Sequence, residues 1–271
     1  MFFDLGLAGD HQRAVVAASS RMGYDCVAVC HRITGVPRAS DRCGIVPLSA
    51  DDLSTAELPG LGATLRLNGR LSWEQSVPPA MRQLSRLTVA AADQAEVAGL
   101  TEARDVLASY DIIAVQPLSE QALRQACMSP NVDIISLNLG QRLPFKLRPQ
   151  VLRPALARGA AFEVAYSQAL REPSVRMNVI NNAQALCRAT SGRGILLSSG
   201  TSSTFELRGP YDVMNLATLM GLSQQAAKEA ITSNCQAVLQ AAARRRLHKG
   251  CLQVLGVTPD GGGAMLAGEK R

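Results

Sequence analysis

The residues best placed to do chemistry stand where apolar runs end: Asp4, His31, Thr88, Gln116, Asn138, Glu163, Tyr166, Ser198 and Ser199. Enzymes built on parallel α/β barrels draw their catalytic groups from such strand ends. This set holds one imidazole. His11 falls in a helical pattern and His248 near the C-terminus, so no multi-histidine metal cluster is expected at a barrel mouth. His31 alone reads as a hydrogen-bonded strand-end residue. A zinc site from Cys26, Cys30 and His31 is disfavoured because both cysteines lie in the apolar run Asp25-Cys-Val-Ala-Val-Cys30. A nucleophilic serine finds no support: G-x-S-x-G is absent, and Ser198-Ser199-Gly200 has no obvious histidine partner. Gly192-Arg193-Gly194 and Gly60-Leu-Gly62 complete neither G-x-G-x-x-G nor the Walker pattern, which leaves nucleotide binding unsupported. Asp4 and Glu163 would form a carboxylate pair only if their strands met, and strands 1 and 6 of an eight-fold barrel are not adjacent. No catalytic residue, metal or cofactor is expected.

The basic residues read differently. From Arg142 to Arg158 the chain carries Arg142, Lys146, Arg148, Arg153 and Arg158 without an acid, and Arg176, Arg188, Arg193 and Arg208 extend this character. Residues 1–135 hold 15 acidic and 11 basic side chains, residues 136–271 hold 7 acidic and 17 basic, and the whole chain is +6. Arginine outnumbers lysine 24 to 4, which suits phosphate but also follows from codon bias. Such a surface supplies phosphate contacts, and an exposed aromatic would stack on bases; Phe145 is nonetheless expected in the core.

The elements that must position these groups follow from hydrophobic patterning. Apolar runs of strand length occur at Met1 to Leu7, Asp25 to Cys30, Leu84 to Ala90, Ile112 to Gln116, Val132 to Leu139, Ala161 to Tyr166 and Gly194 to Ser198. Amphipathic segments alternate with them: His11 to Met22, Thr101 to Ser109 with Thr101 as N-cap, Ser119 to Met128, Pro149 to Arg158 and Ser174 to Thr190. The alternation predicts a parallel α/β sheet, and its length favours a closed TIM-barrel-like fold over an open doubly wound sheet. Pro210 to Met220, with Gly221 as a cap, and a helix opened by Ser223 predict extra C-terminal helices. We expect one domain over 1–255 with a Pro/Gly-rich insertion at 34–80 and a flexible tail at 256–271.

With 271 residues, 47% hydrophobic and 18% charged, disordered and fibrous classes are excluded. No internal repeat is visible. No run of 18 apolar residues occurs, and Met1-Phe2-Phe3-Asp4 has neither the basic nor the apolar part of a signal peptide, so a soluble intracellular protein without membrane contact is expected. Seven cysteines without a C-x-x-C pair read as reduced thiols.

Several pieces, taken in order, resemble the thirty-kilodalton, TIM-barrel-like protein subunit of ribonuclease P and RNase MRP. They are Phe3-Asp4-Leu5, Gly23-Tyr24 with the strand to His31, Arg86-Leu-Thr88, Asp111-Ile-Ile-Ala-Val-Gln-Pro117, Leu143-Pro-Phe-Lys146, Arg158-Gly-Ala-Ala-Phe-Glu-Val164, Tyr166-Ser167, Ser198-Ser199, Arg208-Gly-Pro-Tyr-Asp-Val213 and Asn234-Cys235. The resemblance runs from residue 2 to about residue 250, and Arg208 to Val213 is its most distinctive piece. It implies a barrel related to polymerase-and-histidinol-phosphatase phosphoesterases, whose first-strand H-x-H pair is replaced here by Phe-Phe-Asp-Leu-Gly. It further implies a noncatalytic subunit that binds the catalytic RNA for 5′ leader removal from precursor tRNA and for rRNA processing. The implied partners are ribonuclease P RNA, RNase MRP RNA, precursor tRNA and other subunits, especially a small ferredoxin-like one; the implied location is the nucleus and nucleolus. At matched positions it points to RNA or structural contacts by Arg86, Lys146, Arg158, Arg176 and Arg208, to which the basic run adds Arg142; Arg158 and Arg208 have the alternative of capping a helix or pairing with Glu163 or Asp212. Glu163 and Tyr166 are expected to orient the barrel mouth. The 34–80 insertion is longer than in typical relatives and the C-terminal tail is short. A metal-dependent phosphoesterase with Asp4, His31 and Glu163 as ligands, and a protein-only interaction barrel, stand as alternatives.

Overall fold

Each of the seven apolar runs forms a strand: β1 (Phe3–Ala8), β2 (Cys26–Thr34), β3 (Arg82–Ala91), β4 (Ile112–Pro117), β5 (Ile134–Ser136), β6 (Ala161–Ala165) and β7 (Ile195–Ser198). The computed structural model of the protein describes residues 1–9, 12–49, 52–53 and 81–246. The strands run parallel in the spatial order of the sequence, each hydrogen-bonded to the next. Just past the end of β7 the seam to β1 is bridged, as Gly200 N–H donates to the Gly6 carbonyl at 2.9 Å and Ala8 N–H to the Thr201 carbonyl at 3.0 Å. The result is a nearly closed seven-stranded barrel, one strand short of the eight-fold form.

Strand side chains alternate between its interior and the helix layer. Inward residues such as Leu5, Ala28, Leu84, Ile112 and Leu196 make a narrow inner core, whereas Val89, Val115, Ile135, Phe162 and Leu197 face the surrounding helices. Parallel strands buried on both faces explain the nearly unbroken apolar runs.

Ten helices follow among the described residues: α1 (Gln12–Arg21), α2 (Gln94–Ala98), α3 (Arg104–Ala108), α4 (Glu120–Met128), α5 (Pro149–Ala157), α6 (Gln168–Arg171), α7 (Pro173–Thr190), α8 (Pro210–Leu219), α9 (Gln224–Ala230) and α10 (Ser233–Arg246). Ser119 and Ser223 cap α4 and α9 by accepting from the backbone N–H of Ala122 and Ala226. Proline opens α5, α7 and α8, where its missing N–H costs nothing. Thr101 is not an N-cap. It ends a 3₁₀ turn, Gly99–Thr101, in which Leu100 is buried, and α3 begins three residues later. No helix among the described residues is long and apolar enough to cross a membrane.

The last helix closes the bottom of the barrel. Cys235 and Val238 of α10 pack on the inner core, and its final turn is tied down by Arg245 to Asp133 at 2.9 Å and Arg246 to Asp111 at 2.7 Å. Of the insertion, 50–51 and 54–80 lie outside the described residues; Ala39–Asp41 forms a 3₁₀ turn. The expected domain end at 255 and the tail 256–271 also lie outside them.

Candidate functional site

Inward alternation places Leu84, Arg86 and Thr88 of β3 inside the barrel, so that an arginine lies among apolar neighbours halfway up. Arg86 is 2% exposed and spans the interior to β6. Its Nη1 and Nη2 donate to Glu163 Oε1 and Oε2 at 2.5 and 2.6 Å, Nη1 also to the Leu5 carbonyl at 2.6 Å, and Nε to Thr88 Oγ1 at 3.1 Å. Ser198 Oγ donates to Glu163 Oε1 at 2.7 Å. Burial pulls the Glu163 pKa upward, but the Arg86 charge and hydrogen bonds from Arg86, Ser136 and Ser198 outweigh it and hold the carboxyl below its usual range. Gly6 makes room: a Cβ there would lie 2.6 Å from Ser198 Oγ and 2.7 Å from Glu163 Oε1.

Asp4 and Glu163 stand on strands separated by β7, as the eight-fold reading required. The Asp4 carboxylate accepts from the backbone N–H of Gly6 and of Ser199, both at 3.1 Å, and so fastens β1 to the end of β7. Its pKa is raised by burial, against the opposing hydrogen bonds from Ser199 and Gly6. His31 turns outward from β2, with Nδ1 2.5 Å from Tyr110 Oη. Because Tyr110 Oη donates its single hydrogen to the Asp41 carbonyl at 2.9 Å, His31 Nδ1–H is the donor in that contact. Asp4, His31 and Glu163 therefore serve three different partners and do not converge as a ligand set.

Above this floor the mouth is open. Arg32 reaches inward to donate to Gln116 Oε1, while Arg42, on the loop after β2, lines the rim. Neither arginine was singled out from the sequence, although Arg32 lies two residues past inward Cys30 at a strand end, which is the available signal.

The candidate RNA-contacting residues fall into two groups. Arg142 and Lys146, on the β5–α5 connection, are exposed and their side chains have no hydrogen-bond or ion-pair partner among the described residues, and the same holds for Arg153 and Arg193; Arg148, also exposed, is close enough to Glu120 to help hold that carboxyl below its usual range. Arg153 and Arg193 line one cleft of about 450 Å³. Phe145 is in the core, as expected. Arg86, by contrast, is spent inside the barrel, which corrects its place among RNA contacts: the strand that carries it is buried on both sides. Arg158 caps a helix other than its own, donating to the carbonyls of Ala126 and Cys127 at the end of α4 and of Val132 beyond it, rather than pairing with Glu163. Arg208 folds back on the Phe205 and Leu207 carbonyls at 2.8 and 2.7 Å rather than on Asp212. Exposed Arg176 donates through Nε to the Ala169 carbonyl at 2.8 Å.

The Arg208 to Val213 piece is fixed by two buried tyrosines. Tyr24 Oη donates to the Arg208 carbonyl at 2.9 Å, and Tyr166 Oη accepts from the Arg208 N–H at 3.1 Å. Burial pushes both phenols above their usual range, so each stays protonated. Pro210 then opens α8.

Comparison with known proteins bears on this same arrangement. The chain is 34% identical over 251 residues to "Protein GAMETOPHYTE DEFECTIVE 1" of Arabidopsis thaliana, covering 92% of this chain and 43% of the plant protein. It is 31% identical over 226 residues to "Ribonuclease P protein subunit p30" of Mus musculus, covering 83% of this chain and 78% of the mouse protein. It thus spans less than half the length of its plant relative. In fold, it is similar to a chain in the "cryo-EM structure of archaeal Ribonuclease P with mature tRNA", with a TM-score of 0.59 and 11% identity over 93% of this chain and 98% of that one. Residues 1–247 match the family described as RNase P subunit p30, a span that takes in the barrel, its buried ion pair and the tyrosine-held Arg208 turn, and the chain belongs to that family.

Proposed function

We propose that this chain is a noncatalytic protein subunit of ribonuclease P that binds the catalytic RNA and supports removal of the 5′ leader from precursor tRNA. Family membership supports the assembly. One observation carries the RNA contact: the side chains of Arg142, Lys146, Arg153 and Arg193 are exposed and unpaired among the described residues, whereas Arg86, Arg158 and Arg245 are engaged with protein oxygens. Unpaired cationic side chains gain affinity for the phosphates of RNA by releasing counterions. The scaffold role is favoured because Asp4, His31 and Glu163 are each occupied by a structural partner.

The proposal extends, by the resemblance, to RNase MRP and rRNA processing, to contact with a small ferredoxin-like subunit, and to a nuclear and nucleolar location in a eukaryote. Purification of the tagged protein from its own cells tests it. A precursor-tRNA cleavage activity that co-purifies and is lost after nuclease digestion of the particle is the expected result. Recovery of neither a discrete structured RNA nor cleavage activity overturns the assignment.

A further inference from the structure

The barrel mouth holds a cavity of about 680 Å³, within the range of roughly 300–1,000 Å³ usual for small-ligand sites. Three arginines line it, Arg32, Arg42 and Arg86, against the single carboxylate of Glu163. Arg86 and Glu163 neutralise one another at the floor through two hydrogen bonds, so the rim keeps two uncompensated guanidinium groups among the described residues. Arg32 donates to Gln116 through one nitrogen and retains its other N–H groups; the exposed Arg42 side chain has no hydrogen-bond or ion-pair partner among the described residues. Two forked cations over a neutral floor match the charge and oxygen geometry of a phosphate monoester.

The rest of the lining addresses what the phosphate is attached to. The Asn138 amide faces the cavity with no hydrogen-bond partner among the described residues, and Gln168 uses only its Oε1, accepting from the Gly140 N–H at 2.9 Å. Free amide donors and acceptors suit hydroxyls or the edge of a base. Val29, Ile45 and Leu137 supply an apolar wall, and a lone phosphate ion would leave most of the volume unfilled.

We propose that this mouth binds a phosphate-bearing ligand of nucleotide size, with Arg42 and Arg32 on the phosphate and Asn138 and Gln168 on the nucleoside. A free mononucleotide and the phosphorylated end of an RNA strand offer the same chemistry. The site is separate from the exposed cations of the β5–α5 connection, so it stands or falls independently of the RNA-contact reading.

Calorimetric titration of the full chain tests this with adenosine monophosphate, adenosine and a 5′-phosphorylated tetranucleotide as probes. The expected result is one bound adenosine monophosphate per chain, much weaker binding of adenosine, and an affinity loss of about tenfold or more in Arg42→Ala with none in Arg142→Ala. Arg42 is exposed and unpaired, so its removal leaves the fold intact. Competition by the tetranucleotide identifies a strand end as the source, and its exclusion identifies a free nucleotide; either supports the site. Absence of binding at millimolar nucleotide, equal binding of adenosine, or equal losses in Arg42→Ala and Arg142→Ala would overturn it.

Discussion

Glu163 grips Arg86 through two parallel hydrogen bonds of 2.5 and 2.6 Å in the middle of the barrel, where neither side chain exceeds 4% exposure. Removing one member of such a pair leaves an uncompensated charge in a low-dielectric interior. Glu163→Gln is therefore expected to lose about 3–5 kcal/mol of stability, and replacing both residues with methionine to lose less than the sum of the single changes. Urea denaturation of the variants checks this; a loss below about 1 kcal/mol would show that water reaches the pair.

Glu163 and Asp4 respond to pH in opposite senses. Glu163 has its folded pKa below the ordinary 4.5, so its stabilisation is present above 4.5 and disappears as pH falls through the folded value. Asp4 has its folded pKa above the ordinary 3.8, so ionising it costs stability as pH rises from 3.8 through the folded value. Asp4→Asn removes that cost while keeping an oxygen to accept from Ser199 and Gly6. The stability of Asp4→Asn relative to the parent should rise with pH across that window and then level off, as followed by thermal melts. A flat difference would mean that Asp4 titrates at its ordinary value.

Arginines that look alike in the sequence should separate by readout. Arg142→Ala and Lys146→Ala are expected to leave the melting temperature unchanged, weaken RNA binding and reduce the slope of log affinity against log salt by about one each. Arg158→Ala strands the carbonyls of Ala126, Cys127 and Val132 and is expected to cost about 1–3 kcal/mol while leaving the salt slope unchanged. Filter binding across a salt series, paired with denaturation, decides it; a salt-slope change in Arg158→Ala would place that residue on the RNA surface as well.

This division marks the boundary of what the sequence made legible. All seven strands could be read because strands buried on both faces are apolar at most positions, and burial on both faces is what a parallel barrel imposes. α2 and α6 escaped notice because five and four residues are too few to display a helical period. β5 reads as eight residues but pairs over three, since Leu137 and Leu139 are buried in the core beyond the last rung. Charge alone could not reveal that Arg86 faces a carboxylate on a strand 77 residues away. The parity of Leu84, Arg86 and Thr88 places the guanidinium inside, whereas its partner depends on how the barrel closes.

Gly6 tests that closure directly. A strand glycine commonly marks a close approach of another chain segment, and here the Gly6 carbonyl accepts from Gly200 while its missing side chain admits Ser198 and Glu163. An alanine Cβ would come within 2.7 Å of Ser198 Cβ as well as the two oxygens, and the β1 and β7 backbones hold both sides in place. Gly6→Ala is accordingly expected to lose about 1–3 kcal/mol, with faster hydrogen exchange at Gly200 and Ala8, whose amides bridge the seam backbone to backbone. Adding Ser198→Gly relieves the serine contacts but not the one with Glu163, so it should restore only part of the protection. Full stability in Gly6→Ala would mean that β1 slides past β7 at little cost, and that the buried ion pair rather than the seam holds the barrel closed.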